Sequence, residues 1–258
     1  MTRDEVTRNL LELAFAAGDG REMAILGEGN VSGAIDAGRF LVKASGTSLR
    51  ALRPEHLVEV QAQPFLKAIW SESRHSDEEV QALLMAARVD PRALKPSVES
   101  IFHAWLLALP GVAYVGHVHA TAVNQLLCSP AAEQFAHKRL FPDQIVYCGP
   151  ESVLVPYVDP GLPLARRIAA EVDAFRMRTD RIPATILIQN HGLIALGPTH
   201  HLVMAALDMA EKAARIFIGA ASVGGPIFLS NEHVRRIADR ADEHYRQRML
   251  EHPPMNSD

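Results

Sequence analysis

Hydrophobic residues along the chain switch between helical and strand spacing, and this pattern predicts a mixed α/β protein. An amphipathic helix is predicted over Thr2–Ala17, and glycines end it. Two alternating runs then flank Asp36-Ala37-Gly38, which predicts an antiparallel hairpin. The expected buried stripe of the first helix consists of Val6, Leu10, Leu13 and Phe15. A turn and a short helix are predicted over 48–55. Further helices are predicted at 77–88, 98–109, 121–128, 162–178, 200–222 and 231–251, and further strands at 56–61, 144–147, 153–156, 184–188 and 193–196.

The order of these elements contains no internal repeat and no convincing linker, so we expect a single domain over residues 1–258. A chain of 258 residues is long enough to bury a sizeable core in one domain. The predicted fold is α/β, with a mixed, largely antiparallel central sheet that is layered by helices.

The stretch from Pro96 to Ala120 concentrates the candidate chemistry. Glu99 stands near the start of an apolar helix, and a strand with His117 and His119 follows a Pro-Gly break. Alternate residues of a strand face the same side, so these imidazoles lie about 6–7 Å apart at Cα and can close on one metal ion. The best candidate for a third ligand is His191, where a second apolar strand runs into a glycine.

Each of these features also has a simpler interpretation. A His-x-His pair on a strand is commonly half-buried without any ligand, and Asn190-His191-Gly192 by itself is a turn with a polar tip. The helix macrodipole favours an acid such as Glu99 in the first turn of any helix. All of them fall where a regular element meets a loop, the usual place for functional residues, and this favours the metal-site interpretation.

Composition narrows the functional classes. An apolar content of 48% and a charged content of 22% are ordinary for a globular protein, and a net charge of −4 provides no basic surface for nucleic acid. The two cysteines, Cys128 and Cys148, cannot build a disulfide framework. No apolar run reaches transmembrane length, and the first residues lack a signal-peptide core. We therefore expect a cytoplasmic protein that binds neither nucleic acid nor membrane.

Five short motifs, in a fixed order, resemble those of the class II aldolase/adducin family, whose best-known type is fuculose-1-phosphate aldolase. The similarity runs from about Leu10 to the C-terminal helix and so covers almost the whole chain. The motifs are Gly29-Asn30-x-Ser32, Ser45-Gly46, Pro96-Ser97-x-Glu99-x-x-x-His103, His117-x-His119-Ala120 and Asn190-His191-Gly192-Leu193.

This resemblance implies a metal-dependent lyase. By resemblance, His117, His119 and His191 hold a divalent ion, Zn²⁺ or another such as Mn²⁺, and Glu99 is the catalytic acid/base. Such an ion polarises a ketone and stabilises the enediolate that forms when a carbon–carbon bond breaks in a retro-aldol step. Decarboxylase, dehydratase and epimerase activities can use the same site and remain alternatives, although the epimerases resembling this family generally carry Asp at the position of Glu99.

Glycine and hydroxyl residues upstream predict an anion site. Backbone N–H groups and hydroxyls at Gly29-Asn30, Ser45-Gly46 and Ser97 can cradle a phosphate, and by resemblance they bind the phosphate of a small sugar phosphate. Taken singly, they are equally well explained as turn glycines and a helix cap. Val98 stands where sugar-phosphate aldolases of this family usually carry a second hydroxyl residue, so the phosphorylation of the substrate stays open.

Two further side chains near these motifs have two interpretations each. Lys43 either adds positive charge to the anion site or is an exposed strand lysine. His103, one turn after Glu99, is interpreted as a structural histidine rather than a ligand.

The resemblance also implies an assembly. Family members place a tyrosine near the leaving aldehyde as a proton donor, and Tyr245 lies about where this tyrosine is expected. The alternative for Tyr245 is packing on a surface helix, and Tyr147 is a weaker candidate for the proton donor.

By resemblance, these enzymes are homotetramers with each active site at a subunit boundary. The helix predicted at 200–222 carries apolar residues on several faces, which fits either burial in the domain or contact with a partner. Adducin-type relatives act as interaction modules without catalysis, but such relatives are expected to lose metal ligands that this chain keeps.

Overall fold

A seven-stranded sheet forms the centre of the structure, a computed structural model that describes residues 1–20 and 22–240. The strands are β1 (Asn30–Ala34), β2 (Arg39–Lys43), β3 (Leu57–Gln61), β4 (Tyr114–Val118), β5 (Val153–Val155), β6 (Thr185–Ile188) and β7 (Gly192–Gly197). They lie in the order β3-β2-β1-β4-β7-β6-β5, and all neighbours are antiparallel except β5 and β6. The predicted mixed, largely antiparallel sheet is confirmed.

Helices cover both faces of this sheet. They are α1 (Arg3–Gly18), α2 (Gln63–Trp70), α3 (Asp77–Ala86), α4 (Ser100–Leu107), α5 (Thr121–Leu127), α6 (Ala132–His137), α7 (Pro142–Cys148), α8 (Leu162–Thr179), α9 (His200–Ser222) and α10 (Asn231–Ala238), with a 3-10 turn at Pro54–His56. The expected layering by helices is therefore present.

The sheet separates two hydrophobic cores. Alternate residues of β2 illustrate the division, since Phe40 and Val42 join one core while Leu41 joins the other. Helices α2, α3, α4 and α8 complete the first core, and α1, α5 and α9 complete the second. Because successive strand residues face opposite sides, an uninterrupted apolar strand is the expected consequence of burial on both faces.

One end of the sheet gathers the motif residues. The first residue of β1, Asn30, pairs with His117 near the end of β4, and Val118 of β4 pairs with Leu193 at the start of β7. The antiparallel arrangement thus brings the start of β1, the end of β4 and the β6–β7 turn to the same edge.

Some local predictions are wrong. Residues 144–147, predicted as a strand, lie in helix α7, which begins with Pro142, a residue well suited to the first helical position. A short apolar run does not distinguish a strand from a buried helix, and here packing against α9 and α10 accompanies the helix. Phe15, expected in the buried stripe of α1, is 56% exposed. The helix expected between 48 and 55 is only the 3-10 turn at Pro54–His56.

Two expectations concern the chain as a whole. In the described part of the chain, none of the helices combines the length and the apolar character needed to cross a membrane. A single domain over residues 1–258 stays a prediction, because residues 241–258 lie outside the described ranges.

Candidate metal and anion site

Three histidines and one glutamate converge at the motif end of the sheet. One ligand atom from each of Glu99, His117, His119 and His191 lies within 4.8 Å of the others. The three imidazole rings lie 5.0–5.1 Å apart between centroids and are steeply inclined to one another. The structure therefore brings together all four residues that the sequence suggested for the metal and the acid/base.

Strand, turn and helix each position one part of this cluster. His117 lies in β4 and His119 follows its end, while His191 lies in the β6–β7 turn, where Asn190 adopts a positive φ of 55°. Asn124 fixes this turn, because its side-chain amide donates to the His191 carbonyl at 3.0 Å. Glu99 is the N-cap residue of α4, yet its side chain makes no capping hydrogen bond. Helix capping therefore does not account for this glutamate.

Hydrogen bonds define the tautomers of two rings. Nδ1 of His117 lies 3.0 Å from the Leu193 carbonyl, which only accepts, so this nitrogen carries the proton. Nδ1 of His119 lies 3.0 Å from a carboxylate oxygen of Glu28 and likewise donates. In neutral rings, each Nε2 then presents a bare lone pair.

These two Nε2 atoms lie only 3.1 Å apart. Two lone pairs at this distance repel unless a cation, either a proton or a metal ion, lies between them. Tetrahedral Zn²⁺ with bonds of about 2.0–2.1 Å to nitrogen separates its ligands by roughly 3.3 Å. The donor set and the separation of the Nε2 atoms therefore fit a divalent ion of this class.

The Glu99 carboxylate faces the same point. Its Oε1 lies 3.3 Å from Nε2 of His117 and 3.6 Å from Nε2 of His191, and Oε2 accepts a long hydrogen bond of 3.5 Å from Asn30. Burial alone would raise the pKa of Glu99, but the neighbouring His117 and His191 hold it well below the ordinary value. The carboxylate is therefore ionised and available to bind a cation or accept a proton.

The net pKa shifts of His117 and His119 have opposite directions. Burial by itself would lower the pKa of His117, but the adjacent Glu99 carboxylate raises it above the ordinary value. Burial, followed by His117 and His191, lowers the pKa of His119. The cluster thus concentrates negative charge beside His117 and keeps His119 neutral, the state in which imidazole binds metals.

The residues suggested for an anion lie on three neighbouring segments. Gly29 and Gly46 have positive φ angles of 74° and 76°. The backbone N–H of Ser45 donates to the carbonyl oxygen of Lys95, which lies two residues before Ser97. A side chain at Gly29 would lie 2.9 Å from Leu49 and 3.0 Å from the His117 carbonyl oxygen, so this glycine is required by close packing. The structure therefore brings these segments together beside the histidine cluster.

Asn30 and Ser97 connect the anion segments to Glu99. Asn30 donates to the Glu99 carboxylate, and its own Oδ1 is buried without a hydrogen-bond partner in the described structure. The Ser97 hydroxyl accepts from the Glu99 backbone N–H at 3.3 Å. A ligand could satisfy the Asn30 oxygen, because buried polar atoms normally have a partner.

Lys43 is neither an exposed lysine nor a free surface cation. Its side chain is buried, and Nζ donates to the carbonyl oxygens of Gly27 at 3.1 Å and Thr47 at 2.6 Å. Burial lowers the pKa of Lys43, and the Glu99 carboxylate partly offsets this effect. Lys43 therefore joins the segment before Gly29 to the segment after Ser45.

His103 has structural contacts. Its Nδ1 lies 2.6 Å from the Ser32 hydroxyl, its ring stacks on Phe102 at 4.7 Å, and it is fully buried. Burial lowers the pKa of His103 to about 3, so the ring is neutral at ordinary pH. These contacts fit the structural interpretation of this histidine.

Glu28 was not suggested by the sequence, although its carboxylate contacts His119 directly. Only its position, one residue before Gly29, could have drawn attention to it, because no spacing rule links it to a histidine 91 residues away. Tyr245, suggested as a proton donor, lies outside the described residues. Tyr147, the weaker candidate, lies in α7.

A comparison with protein families agrees with this geometry. A family model described as the Class II Aldolase and Adducin N-terminal domain matches residues 11–218. A Bacillus subtilis (strain 168) protein described as uncharacterized oxidoreductase YuxG is 27% identical over 158 residues, which is 61% of this chain. The matched region spans only 20% of that relative's length.

Solved structures share the fold. YgbL from Klebsiella pneumoniae superposes with a TM-score of 0.70 at 21% identity, covering 92% of this chain and 99% of that one. An L-fuculose 1-phosphate aldolase superposes with a TM-score of 0.69 at 16% identity, covering 92% and 96% of the two chains. These identities support a common fold and no finer likeness. With the family model matching most of its length, the chain belongs to the class II aldolase and adducin N-terminal domain family.

Proposed function

We propose that the protein is a divalent-metal-dependent lyase that cleaves a carbon–carbon bond of a small ketose by a retro-aldol step. The observation that carries this proposal is the Glu99–His117–His119–His191 cluster, in which the Nε2 atoms of His117 and His119 lie 3.1 Å apart. A divalent ion held there, which we propose to be Zn²⁺, supplies Lewis acidity to a substrate carbonyl and its adjacent hydroxyl.

Within this proposal Glu99 moves the proton. Its depressed pKa keeps the carboxylate ionised, and the Asn30 amide holds one of its oxygens, so the other is directed at the histidine cluster. An ionised carboxylate cannot donate a proton until it has accepted one. In the proposed step Glu99 takes the proton of the substrate hydroxyl as the carbon–carbon bond breaks, and then gives it to the carbon that becomes nucleophilic. Glu99 therefore acts first as a base and then as an acid.

The proposed substrate is a phosphorylated ketose, with an aldonic-acid derivative as the alternative. Gly29, Asn30, Ser45, Gly46 and Ser97 lie on segments that adjoin the cluster, and backbone N–H groups in such turns bind anions. L-fuculose 1-phosphate, named in one structural neighbour, is an example of this substrate class. A homotetramer belongs to the proposal on the strength of the family resemblance alone, and a cytoplasmic location on the strength of the composition.

Two other possibilities are an epimerase and a non-catalytic interaction module, and the substrate screen described below distinguishes them from a lyase. YgbL is described with aldolase, epimerase and decarboxylase as alternatives, and an epimerase would return an isomer without splitting the substrate. An adducin-like interaction module would not turn over any substrate, and the retained glutamate and three histidines argue against it.

A substrate screen tests the proposal. Metal-loaded protein is incubated with ketose phosphates and free aldonates, while release of dihydroxyacetone phosphate, lactaldehyde and carbon dioxide is followed. In Glu99→Gln, turnover should fall about 10²–10⁴-fold, the usual contribution of general acid–base catalysis, and metal should be retained. Turnover within a few-fold of the wild type would remove Glu99 from the mechanism.

Elemental analysis supplies the second test. His119→Ala should lose the ion of this cluster, because a three-histidine site then keeps only two imidazoles. Retention of that ion at full occupancy would show that other residues hold it.

A further inference from the structure

A second group of metal-ligating side chains lies where α1 packs against α9, apart from the residues of the proposed function. Glu12 of α1 and His200 and His201, the first two residues of α9, each place a donor atom within 4.8 Å of the other two. Nε2 of His200 lies 3.0 Å from Oε2 of Glu12, and the two imidazole rings are 3.9 Å apart between centroids. Glu12 and His200 are 188 positions apart in sequence, so the packing of the helices creates the group.

The central ring of this group is held in place by its surroundings. His200 is 8% exposed, and its ring contacts Tyr114 edge-on at 5.7 Å. Tyr114 is itself fixed by a hydrogen bond of 2.8 Å from Asn9 of α1. An imidazole with a fixed orientation needs little rearrangement to bind a metal.

We propose that Glu12, His200 and His201 form a second metal site, which takes a divalent transition ion such as Zn²⁺. Two imidazoles and one carboxylate are a donor set that suits Zn²⁺, with a fourth position for water. Ca²⁺ and Mg²⁺ do not fit, because they require mostly oxygen ligands. The ion links α1 to α9 and stabilises their packing.

Two positive features limit the affinity of this site. His200 and His201 lie at the N-terminus of α9, where the helix dipole is positive. Arg8 lies one turn before Glu12 on α1, and its charge acts on His200 in the direction that disfavours a cation. The site should therefore bind Zn²⁺ more weakly than the Glu99 cluster, and Arg8→Gln should tighten it.

Zinc titration of the metal-free full chain tests this inference. With a chromophoric chelator as competitor, the wild type should bind two ions per chain. His201→Ala or Glu12→Gln should weaken binding of the second ion only, by at least about 10-fold. Loss of an outer hydrogen-bonding partner already costs a metal site about this much affinity, and these variants remove a ligand. His233→Ala, which removes an exposed histidine of α10, is the matched control and should bind two ions.

The His119→Ala background separates this site from the proposed catalytic one. There, one ion should remain, zinc should raise the melting temperature, and both effects should disappear in the double variant with His201→Ala. His201 and Glu12 are more exposed than His200, so their substitution leaves the core intact. Loss of all zinc in His119→Ala, or an unchanged second ion in both His201→Ala and Glu12→Gln, would overturn the inference.

Discussion

Replacement of Glu28 tests how far the proposed metal site depends on a carboxylate that binds no metal itself. One oxygen of Glu28 accepts from Nδ1 of His119 at 3.0 Å, and the other accepts from the Ile25 backbone N–H at 2.6 Å. Glu28 therefore fixes both the tautomer and the orientation of His119, so that Nε2 faces the cluster. Carboxylate partners of this kind raise the basicity of a metal-binding imidazole.

The size of the effect follows from this contact. A hydrogen bond to a charged group contributes about 1.5–3 kcal/mol, and about 1.4 kcal/mol corresponds to a tenfold change in binding. The side chains of Glu28 and His119 are 29% and 25% exposed, so water weakens the contact and the lower end of this range applies. We expect Glu28→Ala to weaken metal binding about 10-fold, within the roughly 10–100-fold range for such partners.

Metal affinity is measured by competition with a chromophoric chelator, alongside the melting temperature of the metal-free protein. Glu28→Gln should fall between wild type and Glu28→Ala, because a neutral amide still offers one acceptor oxygen. Glu22→Ala is the control, since that carboxylate lies on the same segment but pairs with Arg215. Affinity of Glu28→Ala within about twofold of wild type would refute the reasoning, since tenfold requires about 1.4 kcal/mol.

Three further predictions concern other parts of the chain. Gly192→Ala places a Cβ 2.6 Å from the Val118 carbonyl oxygen and against the rings of His117 and His119. The free energy of unfolding, measured with denaturant, should therefore fall by about 1–3 kcal/mol, and the protein should lose its metal. In the folded protein a thiol reagent should label the exposed Cys128 alone, because burial raises the pKa of Cys148 to about 12 and the thiolate is the reactive form; rapid labelling of both would contradict this. If Tyr245 donates the proton, Tyr245→Phe should lower turnover with metal retained, and unchanged turnover would exclude it.

The sequence by itself was enough for the elements with strong local signals. Helix α9 begins and ends at the predicted residues, and the hairpin around Asp36 forms as its turn signal indicates. His117, His119 and His191 could be singled out because strand alternation and a glycine turn are local properties of the chain. Glu99 was identified with them, since its helix start is equally local.

Only the tertiary structure decided which remote residues meet. Residues 144–147 form a helix because the short apolar run suits either element, and packing on α9 and α10 accompanies the helix. Lys43 is buried because two carbonyl oxygens from separate loops converge on it. Glu28 reaches His119 across 91 residues, and Glu12 reaches His200 across 188. Periodicity describes which face of an element is buried, whereas such contacts depend on how the elements pack, and no local pattern in the sequence records that.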